Sequence, residues 1–195
     1  HFEAPEAARL EKEMKVFLGW FNGSASLTMN YAAEIDAVLG RGGVFDVVQC
    51  GVGDDGHHAP RVVALDGLTP LSSAGLWVPE QVRRAGGWEV LASDGEPGTP
   101  ATWEAVAEVD PEMLLLVPQG MHLDEVTRAW GATARPPFAA EIQAVRRGRV
   151  FAFDAAAYFS RPGPRVIDGI EILAEIFDPV AFVDLAPERS WVPVL

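Results

Sequence analysis

The sequence predicts an α/β fold, a mostly parallel sheet flanked by helices, for everything from Arg61 onward. Three observations predict it. Short apolar runs alternate with helix-patterned segments, the order produced by parallel strands joined through crossover helices. The clearest strand candidate, Glu112–Val117 (Glu-Met-Leu-Leu-Leu-Val), is apolar at consecutive positions, as in strands covered on both faces. The final helix candidate, Val166–Phe177, places Val166, Ile170, Leu173 and Phe177 on one face of a 3.6-residue period.

The elements follow in order. Arg61–Asp66 reads as a buried strand, and Pro79–Ala85 as a helix stopped by Gly86-Gly87. Trp88–Ala92 is a second strand. Thr102 is the N-cap of a helix over Trp103–Val109, because its hydroxyl can accept an otherwise unpaired N–H of the first turn. Asp110-Pro111 ends that helix, since the residue before proline is driven out of the helical region. After Glu112–Val117 come a helix at Leu123–Trp130, a shorter one at Phe138–Val145 and a strand at Arg149–Phe153. Pro164 suits the first turn of the last helix, and Asp178-Pro179 closes it.

The first 59 residues are a different texture. Pro5–Phe17 and Tyr31–Leu39 have helical content, Val44–Gln49 has strand character, and Gly51–Pro60 is a Gly/Asp/His-rich linker. Residues 181–195 read as a tail.

Composition excludes some functions. A net charge of −13 argues against a nucleic-acid surface, which needs cations along the phosphate backbone. The single cysteine, Cys50, excludes an internal disulfide framework and a multi-cysteine metal site. No apolar run approaches the ~20 residues that span a bilayer. The start, His1-Phe2-Glu3, shows no basic and apolar leader pattern, so no signal peptide is visible.

Ligands of open parallel sheets sit beyond the carboxyl ends of the strands. Here those loops are Gly67–Val78, Ser93–Ala101, Pro118–His122 and Asp154–Pro162. The fourth runs into Tyr158-Phe159-Ser160-Arg161-Pro162-Gly163-Pro164-Arg165, which brings aromatics and arginines to a helix start. Arginine there opposes the helix dipole, a local conflict of the kind found at functional sites. Trp77 is either a ligand platform or a core residue. Of the adjacent Tyr158 and Phe159, one is expected to pack and the other to line the cleft. Arg161 is the stronger contact candidate, whereas Arg165 is expected to pair with a carboxylate. His122 is placed for ligand contact or helix capping. Gly51-Val52-Gly53-Asp54-Asp55-Gly56 imitates a dinucleotide fingerprint, but no helix start follows it and its aspartates would repel phosphate. His57 and His58 have no third metal ligand in view. No Gly-x-Ser-x-Gly elbow and no motif-placed carboxylate pair occurs, so binding is favoured over catalysis and no catalytic residue is named.

Four motifs in order resemble the C-terminal lobe of periplasmic cobalamin-binding proteins, the substrate-binding subunits of ABC importers of the cobalamin/iron-siderophore/haem type. They are Gly75-Leu76-Trp77-Val78-Pro79-Glu80 with Ala85-Gly86-Gly87; Thr102-Trp103-Glu104 with Asp110-Pro111-Glu112; Val145–Ala152; and Tyr158–Arg165 with Asp168-Gly169-Ile170-Glu171-Ile172-Leu173. The resemblance implies one Rossmann-like lobe, residues 60–180, of a helix-linked two-lobe protein. It implies cobalamin or a related corrinoid as transported ligand, an ABC permease as partner, and a periplasmic or extracytoplasmic location. Haem or a ferric siderophore is the alternative ligand. Trp77, Tyr158, Phe159, Arg161 and His122 would then face the ligand, and Glu80 would be the acidic residue docking on the permease. Residues 1–59 do not resemble a first lobe, although Leu10–Lys15 and Tyr31–Gly40 are similar to pieces of an inter-lobe helix. One wall of the cleft is therefore expected here, with homodimerisation as one way to complete it and an interaction module as a further reading.

Overall fold

A computed structural model of the chain describes residues 59–194. The expectations for Cys50, Gly51–Gly56, His57, His58 and the earlier helix and strand segments lie outside the described residues. The described part is one mixed sheet with helices on both faces.

Strand β1 (Arg61–Leu68) turns back into β2 (Leu71–Ser73), and helix α1 (Val78–Arg84) leads to β3 (Trp88–Glu89). Helix α2 (Trp103–Val109), β4 (Met113–Leu116) and α3 (Leu123–Ala132) follow. A 3-10 turn (Pro137–Glu141), α4 (Gln143–Arg146), β5 (Val150–Phe153), the one-turn α5 (Ala155–Tyr158), α6 (Arg165–Phe177) and β6 (Trp191–Pro193) complete it. The sheet order is β2-β1-β4-β5-β6, with β3 also on β1. The β1–β4, β4–β5 and β1–β3 pairs are parallel, while β2 and β6 add antiparallel edges.

Alternation along the strands divides the core. Val62, Ala64, Met113, Leu115 and Phe153 face α1 and α6, joined there by Val82, Ile170 and Leu173. Val63, Leu65, Leu114, Leu116, Val150 and Ala152 face the other layer with Val106, Val126 and Ile142. Both faces are apolar because both are covered, which is why the strands read as unbroken apolar runs.

Several boundaries move for identifiable reasons. The strand expected over Trp88–Ala92 stops at Glu89, because β2 occupies the edge of β1 that it would need (Leu65 opposite Ser73). The single helix expected at Phe138–Val145 is two pieces. Ile142 is extended (φ −57°, ψ 131°) and buried in the second core, and α4 restarts with the Gln143 N–H on Asp110 Oδ1 at 2.8 Å. Part of the loop expected over Gly67–Val78 is strand β2, and the tail contributes β6, whose Trp191 lies opposite Phe153.

The Thr102 cap is present, with its hydroxyl accepting the Ala105 N–H at 3.2 Å. Thr102→Ala is expected to cost about 1 kcal/mol, read as a lower urea midpoint with an unchanged slope. Among the described residues no helix is long and apolar enough to cross a membrane.

Candidate functional site

The carboxyl ends of β4 and β5 release the loops that carry His122 and Asp154. The His122 imidazole presents Nδ1 to Asp154 at 3.0 Å from Oδ1 and 3.2 Å from Oδ2. A carboxylate only accepts, so Nδ1 is the donor, and in the neutral imidazole Nε2 keeps its lone pair. His122 is 69% exposed in its side chain, and Nε2 has no partner among the described residues. Both residues also sit at helix starts. Glu125 reaches back to the His122 N–H at 2.8 Å, and Asp154 Oδ1 accepts the Ala157 N–H at 3.1 Å. The capping role and the ligand-facing role expected for His122 are thus compatible, because they use different atoms.

The β4 and β5 loops are joined again nearby, where the Gly120 N–H donates to Ser160 Oγ at 2.7 Å and the Ala156 N–H to Met121 O at 2.9 Å. Arg161 follows directly. It is exposed and forms no hydrogen bond or ion pair among the described residues, so its five donors are available.

On the other side stands the segment between β2 and α1. Its Trp77 is half-buried against the first core, and the indole Nε1–H donates to Phe159 O at 3.0 Å. Trp77 therefore ties the β2–α1 segment to the β5 loop. Gln81 Nε2 strengthens the tie by donating to Tyr158 O at 3.2 Å and Val166 O at 3.0 Å. No sequence motif marks Gln81; its one legible signal is a polar residue on the core face of a short helix.

Three expectations are corrected. Tyr158 and Phe159 do not divide into a packed and an exposed ring. Phe159 is 2% exposed and meets Phe153 edge-on at 5.2 Å, so it is a core residue, while Tyr158 is buried beneath Arg165. The one-turn α5 explains this: it holds both residues close to the sheet and so makes both rings inward-facing. Arg165, expected to pair with a carboxylate, has its guanidinium 5.6 Å above the Tyr158 ring. Burial pushes the Tyr158 phenol up, against the pull of that cation. Glu80 is buried and paired with Arg84 at 2.9 Å and Arg83 at 3.7 Å on its own helix. The carboxylate expected at the surface is thus covered and engaged within its own helix.

A second carboxylate was not singled out from the sequence. Glu89 is buried at the end of β3, with Oε2 accepting the Ala64 N–H at 2.8 Å and Oε1 the Leu91 N–H at 3.0 Å. Burial outweighs these bonds and pushes its pKa to about 7. It borders a groove of about 380 Å³ shared with Arg61, Trp88 and Val109, away from the His122–Asp154 pair.

No family model matches the chain, and no curated protein matches it. Solved structures do. A periplasmic heme binding protein from Pseudomonas aeruginosa superposes with a TM-score of 0.58 at 26% identity, over 76% of this chain and 53% of that one. The fold is that of a periplasmic binding protein lobe. IsdE of S. aureus, solved complexed with heme, gives 0.61 at 16% identity over 86% of this chain and 64% of its own. The TroA-like periplasmic binding protein FepB from Veillonella parvula gives 0.56 at 20%, over 74% and 46%. The chain thus spans between 46% and 64% of the length of these proteins.

Proposed function

We propose that this chain is the solute-binding part of an ABC importer, acting outside the cytoplasmic membrane. In this reading it binds a flat metal chelate, haem foremost, in the crevice at the carboxyl ends of β4 and β5, without transforming it. One observation carries the reading: His122 is exposed, with Nδ1 held by Asp154 and Nε2 unengaged. A histidine whose far nitrogen donates to a carboxylate is a more basic and better oriented metal ligand. The haem iron is the cargo, and His122 Nε2 is the atom offered to it. Arg161 supplies a cation and forked donors for carboxylates at the rim of such a ligand. The heme-binding proteins among the solved structures of this fold support the same class.

A corrinoid is the second reading. It is favoured by the Tyr158–Arg165 and Gly75–Glu80 motifs, and Arg161 suits its amides and phosphodiester equally.

Titrating the chain with haemin, cyanocobalamin and a ferric siderophore, followed by absorbance and tryptophan quenching, separates these. Haemin is expected to bind with a shifted Soret band. His122→Ala is expected to change that spectrum, and Asp154→Asn, which keeps an acceptor for the α5 cap, to weaken binding roughly tenfold or more. Cyanocobalamin binding without haemin binding selects the corrinoid. Folded protein that binds none of the three at high micromolar ligand would sink the proposal.

A further inference from the structure

Leu76 stands out on both backbone and exposure. Its φ is 60°, in the left-handed region that strains a leucine, and its side chain is among the exposed large apolar ones, at 44%. The conformation is held by its N–H on Glu96 O at 2.6 Å and by the Gly95 N–H on its own carbonyl at 2.8 Å. Its neighbours leave it no freedom. A Cβ on Gly75 would come within 2.6 Å of Glu96 O, and Trp77 is bonded to Phe159 O. Leu76 belongs to neither core cluster, whereas Trp77 beside it packs on the first. The chain therefore holds a strained apolar side chain in the open, bonded through its backbone to the loop that leaves β3 and next in sequence to Trp77, whose indole is bonded to the β5 loop. Glycine or asparagine would adopt that backbone with less strain, and asparagine would also suit water. Neither local conformation nor core packing accounts for a leucine here.

We infer that Leu76 is a ligand-contact residue, an apolar knob that seats against an apolar edge of the flat chelate and selects for ligands with such an edge. This rests on the reading that the crevice takes a tetrapyrrole. Ligand burial supplies what the free lobe lacks, removal of the leucine from water.

The test compares the 195-residue chain with Leu76→Asn and Leu76→Ala, using haemin and cyanocobalamin as probes. Leu76→Asn is expected to raise the ligand-free melting midpoint by roughly 2–4 °C, through relief of backbone strain. It is expected to weaken the bound probe by roughly tenfold or more. Leu76→Ala keeps most of the strain and is expected to lose affinity without the gain in midpoint. Wild-type binding with affinities unchanged within about twofold in both variants would overturn the role of Leu76 alone. Failure of the wild type to bind either probe overturns the tetrapyrrole reading, and the role of Leu76 with it.

Discussion

Removing the Glu89 carboxyl is expected to cost the lobe about 2–4 kcal/mol at pH 5, because Glu89→Ala leaves the N–H groups of Ala64 and Leu91 without their acceptor. Ala64 is fully buried, so no water replaces the lost partner. The sign of the pH dependence follows from burial. The Glu89 pKa is raised from 4.5 to about 7, so the folded state holds a proton that the unfolded chain gives up. That contribution to stability is fully present below pH 4.5 and is lost as pH rises through 7, by at most about 3 kcal/mol. Glu89→Gln keeps the shape and one acceptor and removes the titration. Urea unfolding between pH 4.5 and 8 is expected to show wild-type stability falling relative to Glu89→Gln across that window. Parallel profiles for the two proteins would refute the account.

Gly169→Ala is expected to destabilise the lobe by about 1–3 kcal/mol, the cost of overpacking. In an exposed helix interior the same change stabilises by up to about 1 kcal/mol. The difference lies in what a Cβ would meet at that point of α6: the Gln81 amide, and Tyr158 O at 3.0 Å. Gln81 cannot simply swing aside, because its Nε2 is bonded to Tyr158 O and Val166 O. Shifting it would also release the loop that carries Ser160 and Arg161, so weaker probe binding should accompany the lost stability. A double-mutant cycle checks the cause. In a Gln81→Ala background the added methyl should cost clearly less, since the obstructing amide is gone. Equal costs in both backgrounds would show that the contact with Gln81 is not the origin.

The legible part of this protein is the part written in local patterns. Met113–Leu116 is strand because four consecutive apolar residues fit only an element buried on both sides, and the Thr102 cap is a property of a few neighbouring residues. The α6 stripe emerged with Val166, Ile170 and Leu173 buried as its period requires. The strand-end loops were legible as a place, since they follow from the strand order, and His122 and Arg161 lie in those loops. What could not be read was which way side chains turn in irregular backbone. Tyr158 and Phe159 end a one-turn helix whose cap, Asp154, also serves His122, and nothing in the spacing shows that both rings go inward. Glu80 looked like a surface acid because helix patterning does not reveal that α6 covers α1.

By itself the sequence determined a mostly parallel α/β lobe with its strand-end loops at one end of the sheet. It could do so because hydrophobic periodicity and capping act over a few residues, within one element. Only the tertiary structure decided that Trp77 and Gln81 are braces for the β5 loop, that Asp154 orients His122, and that Leu76 stands strained in the open. The braces and the orientation of His122 depend on backbone carbonyls and a carboxylate 32 to 85 residues away in the chain, and such partners exist only once the sheet has brought its loops together.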